Sequence, residues 1–155
     1  MRIVIAAVGK PRDRGIAAAV HEYERRAARY WPLEVREVKE ESSRSTGAEQ
    51  VRAREGERLL ECASASARLV ACVVDGEQMA SETFATWLRE ARERAAGDVV
   101  FLIGGAFGLA SAVRKRAHTR LSFSRWTFPH ELARLVLAEQ LYRAGTLVRG
   151  EPYHK

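Results

Sequence analysis

The chain is 155 residues long, which fits one compact domain with a core of its own. Its composition, 46% hydrophobic and 30% charged, is that of a soluble globular protein, and no apolar run approaches the roughly 20 residues that a transmembrane helix needs. The formal net charge of +6 favours a polyanionic partner over a neutral one.

The first part of the chain alternates between strand-like and helix-like segments. Arg2 to Val8 predicts a strand without a cleavable small-residue site, which argues against a signal peptide. Helical spacing of apolar residues predicts a helix from Asp13 to Tyr30, and a second strand begins at Leu33. The polar, serine-rich segment from Lys39 to Gly47 is the most mobile loop that we predict.

Two helices and a strand are predicted next. Thr46 to Glu49 matches a capping box, which would open a helix running to about Ala67. Leu69 to Val74 is apolar throughout, so we expect a strand buried on both faces, followed by a turn at Asp75 and Gly76. Ser81 is expected to cap a helix from Glu82 to Ala96.

The two cysteines, Cys62 and Cys72, have the spacing of neither a metal site nor a disulfide framework. We therefore expect both to be core residues, with no metal bound, in the reducing cytoplasm.

A short apolar run, Val99 to Ile103, predicts a fourth strand, and a cluster of glycines follows it. Gly104, Gly105 and Gly108 allow a sharp turn and the close approach of a ligand, because no Cβ is in the way. A glycine cluster alone more often makes only a turn. However, α/β folds place ligands at the carboxyl ends of their strands, and a second loop ending at His130 supplies aromatic and hydroxyl groups.

The last elements are a short basic helix from Ala112 to His118, a strand from Leu121 to Phe123 and a helix from Glu131 to Gly145. Five strands alternating with five helices predict a mostly parallel sheet with helices on both faces. The final helix is apolar on two sides, which indicates burial in a core or between subunits. Glu139 lies within one of these sides, and we favour a structural ion pair with Arg143 over a catalytic role.

The positive charge is concentrated at the carboxyl-terminal end. Residues 1–113 contain 17 basic and 17 acidic side chains, whereas residues 114–155 contain 9 basic and 3 acidic ones. A basic excess beside the ligand loops favours a nucleic-acid substrate, although an arginine-rich solvated surface would have the same composition.

An ordered set of motifs resembles the ribosomal RNA large subunit methyltransferase H family. The motifs cover nearly the whole chain, and those at the carboxyl-terminal end are specific. They are IAAVGK at residues 5–10, EYERR at 22–26, IGGAFGL at 103–109, LSFSRWTFPH at 121–130, LAEQLYRA at 137–144 and GEPYHK at 150–155.

The resemblance implies one SPOUT-type methyltransferase domain over residues 1–155, an α/β fold with a carboxyl-terminal trefoil knot. It further implies that S-adenosylmethionine binds in the knot and that a methyl group is transferred to N3 of a pseudouridine in 23S rRNA on the ribosome. The implied enzyme is a homodimer with the knot at its interface, without a membrane or metal partner.

The resemblance also assigns residues to the site. The cofactor-binding positions would be Cys72, Gly104, Phe123, Ser124, Arg125, Trp126, Thr127 and Phe128. Cys72 and Val73 depart from the family pattern, which has leucine followed by an acidic residue. A backbone contact at position 72 would tolerate the change.

Catalytic and substrate-binding roles fall on the last helix and the tail. His130 and His154 are candidate bases, since a histidine near neutral pKa suits removal of a proton, and Tyr153 accompanies His154. His130 could equally be a helix-terminal residue hydrogen-bonded to the backbone. The phosphate-binding candidates are Arg143, Arg149 and Lys155, and in the family the tail of one subunit would complete the site of the other.

Two other functions compete with this one. The glycine turn could bind a nucleotide in a Rossmann-type oxidoreductase, but the G-x-G-x-x-G order and an acidic ribose ligand are missing. The chain could also be a ribosome-binding module without catalysis.

Overall fold

A computed structural model describes residues 1–44, 46–94 and 97–154 of the chain. Within these ranges, strands and helices alternate and a short 3-10 helix follows the last of them. The elements are β1 (Ile3–Val8), α1 (Arg14–Ala27), β2 (Leu33–Val38), α2 (Ala48–Glu61), β3 (Arg68–Gln78), α3 (Ser81–Glu93), β4 (Val99–Ile103), α4 (Ser111–Arg116), β5 (Thr119–Ser122), α5 (His130–Arg149) and the 3-10 helix Pro152–His154.

The five strands form one sheet in the order β2-β1-β4-β3-β5, and each neighbouring pair is parallel. The predicted α/β class with a parallel sheet is therefore confirmed. All residues of β1 and β4, two of the three interior strands, are buried, as expected for strands covered by helices on both faces.

Two hydrophobic cores lie on opposite faces of the sheet. Alternate residues of β1 show the division, because Ile3 and Ile5 belong to a cluster with side chains of α1, α3 and α5, whereas Val4 and Val8 belong to one with α2 and α4. Within the described ranges, no helix is long and apolar enough to cross a bilayer.

Several predicted helix starts are wrong in detail. Asp13 is the residue before α1, where its carboxylate accepts a hydrogen bond from the backbone N–H of Ile16 at 2.8 Å. The capping box does not form, because Gly47 occupies the cap position of α2 without a side-chain bond. Ser81 is the first residue of α3 rather than its cap, and its hydroxyl donates to Gln140 at 2.8 Å.

The predicted helix ends also shift. α1 ends at Ala27 and α2 at Glu61, both earlier than predicted, while the predicted end of α3 at Ala96 lies outside the described residues. α5 continues to Arg149, because Gly145 does not stop the helix but lets it pack against Tyr30; an added Cβ would lie 2.4 Å from the Tyr30 ring.

β3 differs most from its prediction. It runs eleven residues, is buried only from Leu69 to Ala71, and contains Asp75 and Gly76 instead of turning there. Its pairing with β5 shifts register between Cys72 and Glu77, so residues 73–76 form an irregular bulge. The bulge requires a glycine at position 76, because a Cβ there would lie 2.7 Å from the Arg120 backbone. Bulges of this kind often occur next to functional sites.

The cysteines lie at the edges of the two cores, where Cys72 packs against one core and Cys62 against the other, so the prediction of core residues is confirmed only in part. Cys62 follows the last turn of α2 and Cys72 lies where β3 leaves the core, and both are half-buried and unbonded to another cysteine. Burial raises the pKa of both thiols, so they remain protonated.

Arg134 joins three elements through buried ion pairs. Its guanidinium lies 2.7 Å from both the Glu24 and the Glu37 carboxylates, which links α5 to α1 and β2, and the residue is 2% exposed. Part of the carboxyl-terminal basic excess is therefore structural and unavailable to a polyanion.

We expect Arg134→Ala to lower the free energy of unfolding by about 3–5 kcal/mol, because it strands two partly buried carboxylates. Urea denaturation measures the change. The matched control is Arg89→Ala, which removes an exposed pair at 3.8 Å and should cost at most about 0.5 kcal/mol. An equal loss in both variants would contradict this account.

Candidate functional site

A cavity of about 370 Å³ opens at the carboxyl ends of the strands, where two neighbouring strands and two loops meet. Its walls come from residues 72–75 of β3, residues 103–109 at and after β4, and residues 123–128 between β5 and α5. Of the cofactor-binding positions, the lining includes Cys72, Gly104, Phe123, Ser124, Trp126, Thr127 and Phe128, whereas Arg125 is not among the lining residues. A cavity of this size and largely apolar lining fits a small molecule.

The loop after β4 that contains Gly104, Gly105 and Gly108, here called the glycine loop, packs on itself. Gly108 has a φ of +75° and donates its N–H to the carbonyl of Gly105 at 3.0 Å, which closes a tight turn. A Cβ on Gly104 would lie 2.6 Å from the carbonyl carbon of Gly108. The atoms that approach Gly104 most closely are therefore those of its own loop, which accords with the sharp turn predicted from the glycine cluster.

The segment 123–128 between β5 and α5, here called the aromatic loop, is held against the β3 bulge by hydroxyl groups. The Ser122 hydroxyl lies 2.8 Å from the Val74 carbonyl and 2.9 Å from the Ser124 carbonyl. The Ser124 side chain in turn accepts a hydrogen bond from the Trp126 N–H at 3.0 Å. These bonds fix the spacing between two walls of the cavity. Trp126, at the edge of the cavity, is 79% exposed.

His130 lines the cavity at the start of α5, close to the loop after β1. Both its Nε2 atom and Oε2 of Glu40 lie within 4 Å of the position that a Cβ of Gly9 would occupy. Glu131 accepts a hydrogen bond from the Arg12 N–H at 2.8 Å, which docks that loop on α5. Within the described ranges the His130 imidazole has no hydrogen bond to the backbone.

Arg114 and Asp75 form an ion pair at the cavity rim, and the sequence analysis assigned neither to the site. The guanidinium of Arg114 holds the pKa of the Asp75 carboxyl below its usual value. The rim is therefore charged but internally neutralised.

The carboxyl-terminal residues form a separate cluster on the second half of α5. The ring of Tyr153 lies 4.5 Å from that of Tyr142, and its hydroxyl is 3.4 Å from Tyr23 Oη and donates to Glu139 at 3.2 Å. Arg143 bonds Glu139 at 2.7 Å, which confirms the predicted ion pair, and covers the Tyr153 ring. Burial, followed by the bond with Tyr23, raises the pKa of Tyr153, so its phenol keeps its proton.

This tail cluster does not meet the cavity within one chain. Glu139 and Arg143 are nine and thirteen residues after His130 on the same helix, a distance of roughly 15–20 Å. Arg149 lies further along, over the ring of Tyr30 at 4.7 Å. Lys155 lies outside the described residues, as does the side chain of His154.

Glu55 is a buried acidic residue behind the cavity that sequence reasoning missed. It is 3% exposed, and its Oε1 accepts a hydrogen bond from the Glu41 N–H at 3.0 Å. Its Oε2 has no described partner and lies 2.8 Å from where a Cβ of Gly105 would be. A signal was available, because Val51, Glu55 and Leu59 follow one another at four-residue spacing on the buried face of α2.

Comparisons with known proteins agree with one another over the full chain. The family described as "Predicted SPOUT methyltransferase" matches residues 1–154. The protein named Ribosomal RNA large subunit methyltransferase H from Gemmatimonas aurantiaca is 57% identical over 155 residues, all of both chains. Proteins of the same name from Limosilactobacillus fermentum and Geobacter metallireducens are each 42% identical and covered over 99–100% of both chains.

Proposed function

This chain is an rRNA methyltransferase of the SPOUT family, and we propose that S-adenosylmethionine is its methyl donor. We propose further that the methyl group is transferred to N3 of a pseudouridine in 23S rRNA. The observation that carries the proposal is the cavity in which the glycine loop, the β3 bulge and the aromatic loop meet. Membership in a methyltransferase family argues against both alternatives, the oxidoreductase and the ribosome-binding module without catalysis.

The residues around the cavity fit such a donor. Phe123 and Phe128 offer apolar walls for a purine ring, and the glycine loop and bulge offer main-chain donors and acceptors at the cavity edge. Cys72 contributes a half-buried, protonated thiol, so contact there depends little on charge. We expect Arg125, outside the lining, to act through the loop or on RNA.

When bound, the donor supplies an electrophilic methyl group, and the protein contributes chiefly by positioning. Alignment of the reacting groups is worth on the order of 7–11 kcal/mol of barrier. The Ser122 hydroxyl has one proton, which it shares between the Val74 and Ser124 carbonyls, and it so holds the aromatic loop close to β3 before ligand binds.

The target nitrogen must lose its proton, and His130 is the candidate base that already lines the cavity. The Glu40 carboxylate also faces Gly9, where it is paired with Arg12. The raised pKa of Tyr153 favours a hydrogen-bonding role over a proton-accepting role for that phenol.

The tail residues require a second subunit. We propose a homodimer, knotted at its carboxyl-terminal end, in which Tyr153 and His154 of one chain reach the cavity of the other. The roughly 15–20 Å between the tail cluster and His130 within one chain supports this arrangement. Arg143, Arg149 and Lys155 would then meet rRNA phosphates on the ribosome, in the cytoplasm.

The test is methylation of large-subunit rRNA with radiolabelled S-adenosylmethionine. We expect label in ribosomes that contain the pseudouridine and at least about 100-fold less in ribosomes from a strain lacking the pseudouridine synthase, because uridine lacks the N1–H donor of pseudouridine. NADH is the control ligand and should not bind. Equal labelling of both ribosome preparations would contradict the proposed nucleoside.

A further inference from the structure

The carboxyl group of Glu55 forms no ion pair in the described chain, and the positive charge that acts on it, Arg58, is already paired with Glu41. The other acidic groups around the glycine loop and the cavity each have an arginine: Glu40 pairs with Arg12, Glu41 with Arg58 and Asp75 with Arg114. Glu55 has only the Glu41 N–H, and its second oxygen is buried without a hydrogen bond. A buried carboxylate without a counter-charge is costly, so a structure that retains one calls for an explanation.

The position of the Glu55 Oε2 atom indicates what kind of group could pair with it. It lies against Gly105, with Val8 on the same side, and Gly105 is part of the cavity wall. Gly105 is therefore in contact with both the Glu55 carboxyl and the cavity. A positive charge bound there would therefore interact with Glu55 through a thin, water-poor layer.

We propose that Glu55 supplies the counter-charge for the cationic sulfonium of the methyl donor, and so favours the donor over its neutral thioether product. The inference rests on the proposed function, because it takes the cavity as the donor site. Glu55 acts across Gly105 without touching the ligand, which makes it a positioning and specificity residue. The consequence is that the spent cofactor is held less tightly than the fresh one.

The charged groups that face Glu55 set its response to pH. Glu40 and Glu41 lie on the segment after β2 and Arg58 on α2 itself, while β1 and the glycine loop contribute no charge. Burial is the main cause that raises the pKa of Glu55. A cation in the cavity opposes this shift, so donor binding should release a proton from Glu55 at mildly acidic pH.

Calorimetric titration with S-adenosylmethionine and S-adenosylhomocysteine tests the proposal on the wild type, Glu55→Gln and the exposed control Glu57→Gln. We expect Glu55→Gln to lose about tenfold in affinity for the sulfonium and little for the thioether, and Glu57→Gln to change neither. Titrations in two buffers of different ionisation enthalpy, at about pH 5.5, should show proton release on sulfonium binding in the wild type and none in Glu55→Gln.

Stability separates this role from a structural one. A group whose folded pKa is raised stabilises the fold below its unfolded pKa and loses that contribution as pH rises through the folded value. Glu55→Gln should therefore melt no lower than the wild type at alkaline pH, on the side where the raised pKa of Glu55 removes its contribution to stability. A purely structural Glu55 predicts a lower melting temperature with an unchanged ratio of the two affinities.

Two results would overturn the inference. One is an unchanged ratio of the two affinities in Glu55→Gln, whether both affinities stay the same or fall together. The other is proton release that persists in that variant and so arises from His130 or another group. If the wild type binds neither ligand, the proposed function itself fails, which is a distinguishable result.

Discussion

Replacing Gly104 by valine should abolish donor binding, with a loss of affinity on the order of 100-fold or more. The reason lies in the loop itself. A Cβ at this position would lie 2.6 Å from the carbonyl carbon of Gly108 and 2.9 Å from the nitrogen of Leu109, both backbone atoms that cannot rotate away. The turn must open, and the cavity wall moves with it. Calorimetry with S-adenosylmethionine measures the effect.

The matched control is Gly47→Val. Gly47 precedes α2, and a Cβ there meets nothing within 4 Å, so this variant should bind donor normally and lose at most about 1 kcal/mol of stability. Should Gly104→Val fail to fold, Gly104→Ala places the same Cβ and keeps the test available. Unchanged affinity in a folded Gly104 variant would remove this loop from the donor site.

Deletion of residues 153–155 should remove methyl transfer by at least about 1,000-fold while leaving donor affinity within about twofold. In one chain Tyr153 packs on Tyr142 and bonds Glu139, at the far half of α5 from the cavity. The cavity therefore keeps its own walls when the tail is removed. Single-turnover assays on ribosomes, paired with calorimetry, measure the two quantities separately. Donor binding lost together with activity would contradict the separation.

Mixing the two inactive proteins tests whether the site is shared. A dimer of one Gly104→Val chain and one truncated chain has a single complete site, made of the truncated chain's cavity and the other chain's tail. Random reassociation should then restore about a quarter of wild-type activity, since half of the dimers are mixed and each has one working site. No recovery after verified exchange would place the tail and cavity of a working site in the same chain.

Much of the fold could be predicted from alternation alone. The five apolar or alternating strand segments and the amphipathic helices follow directly from the residue pattern, and their order defines a parallel sheet. The ends of helices and strands were less predictable, because two glycines that would ordinarily end an element are present for close packing instead. Gly76 lies against the β5 backbone and Gly145 against Tyr30, so neither ends its element.

The site was predictable where residues follow one another along the chain. The glycine loop and most of the segment from Phe123 to Phe128 line one cavity, as a shared location at the strand ends predicts. Glu55 and Arg114 could not be placed in the same way, because tertiary packing brings Arg114 of α4 to the cavity and Glu55 of α2 to Gly105. Gly56 illustrates this dependence, since the close approach of its backbone to Val113 becomes visible only in three dimensions.

The bulge in β3 has a consequence for how this cavity can change over evolution. From Val73 to Gly76 the strand leaves its ladder with β5, so main-chain atoms form part of the wall, and one of their carbonyls is already bridged by Ser122. Main-chain atoms are the same for every amino acid. Substitutions at positions 72 and 73 can therefore accumulate with little penalty, provided that the backbone path survives. Gly76, where an added Cβ would lie 2.7 Å from the Arg120 backbone, is the position at which substitutions should not be tolerated.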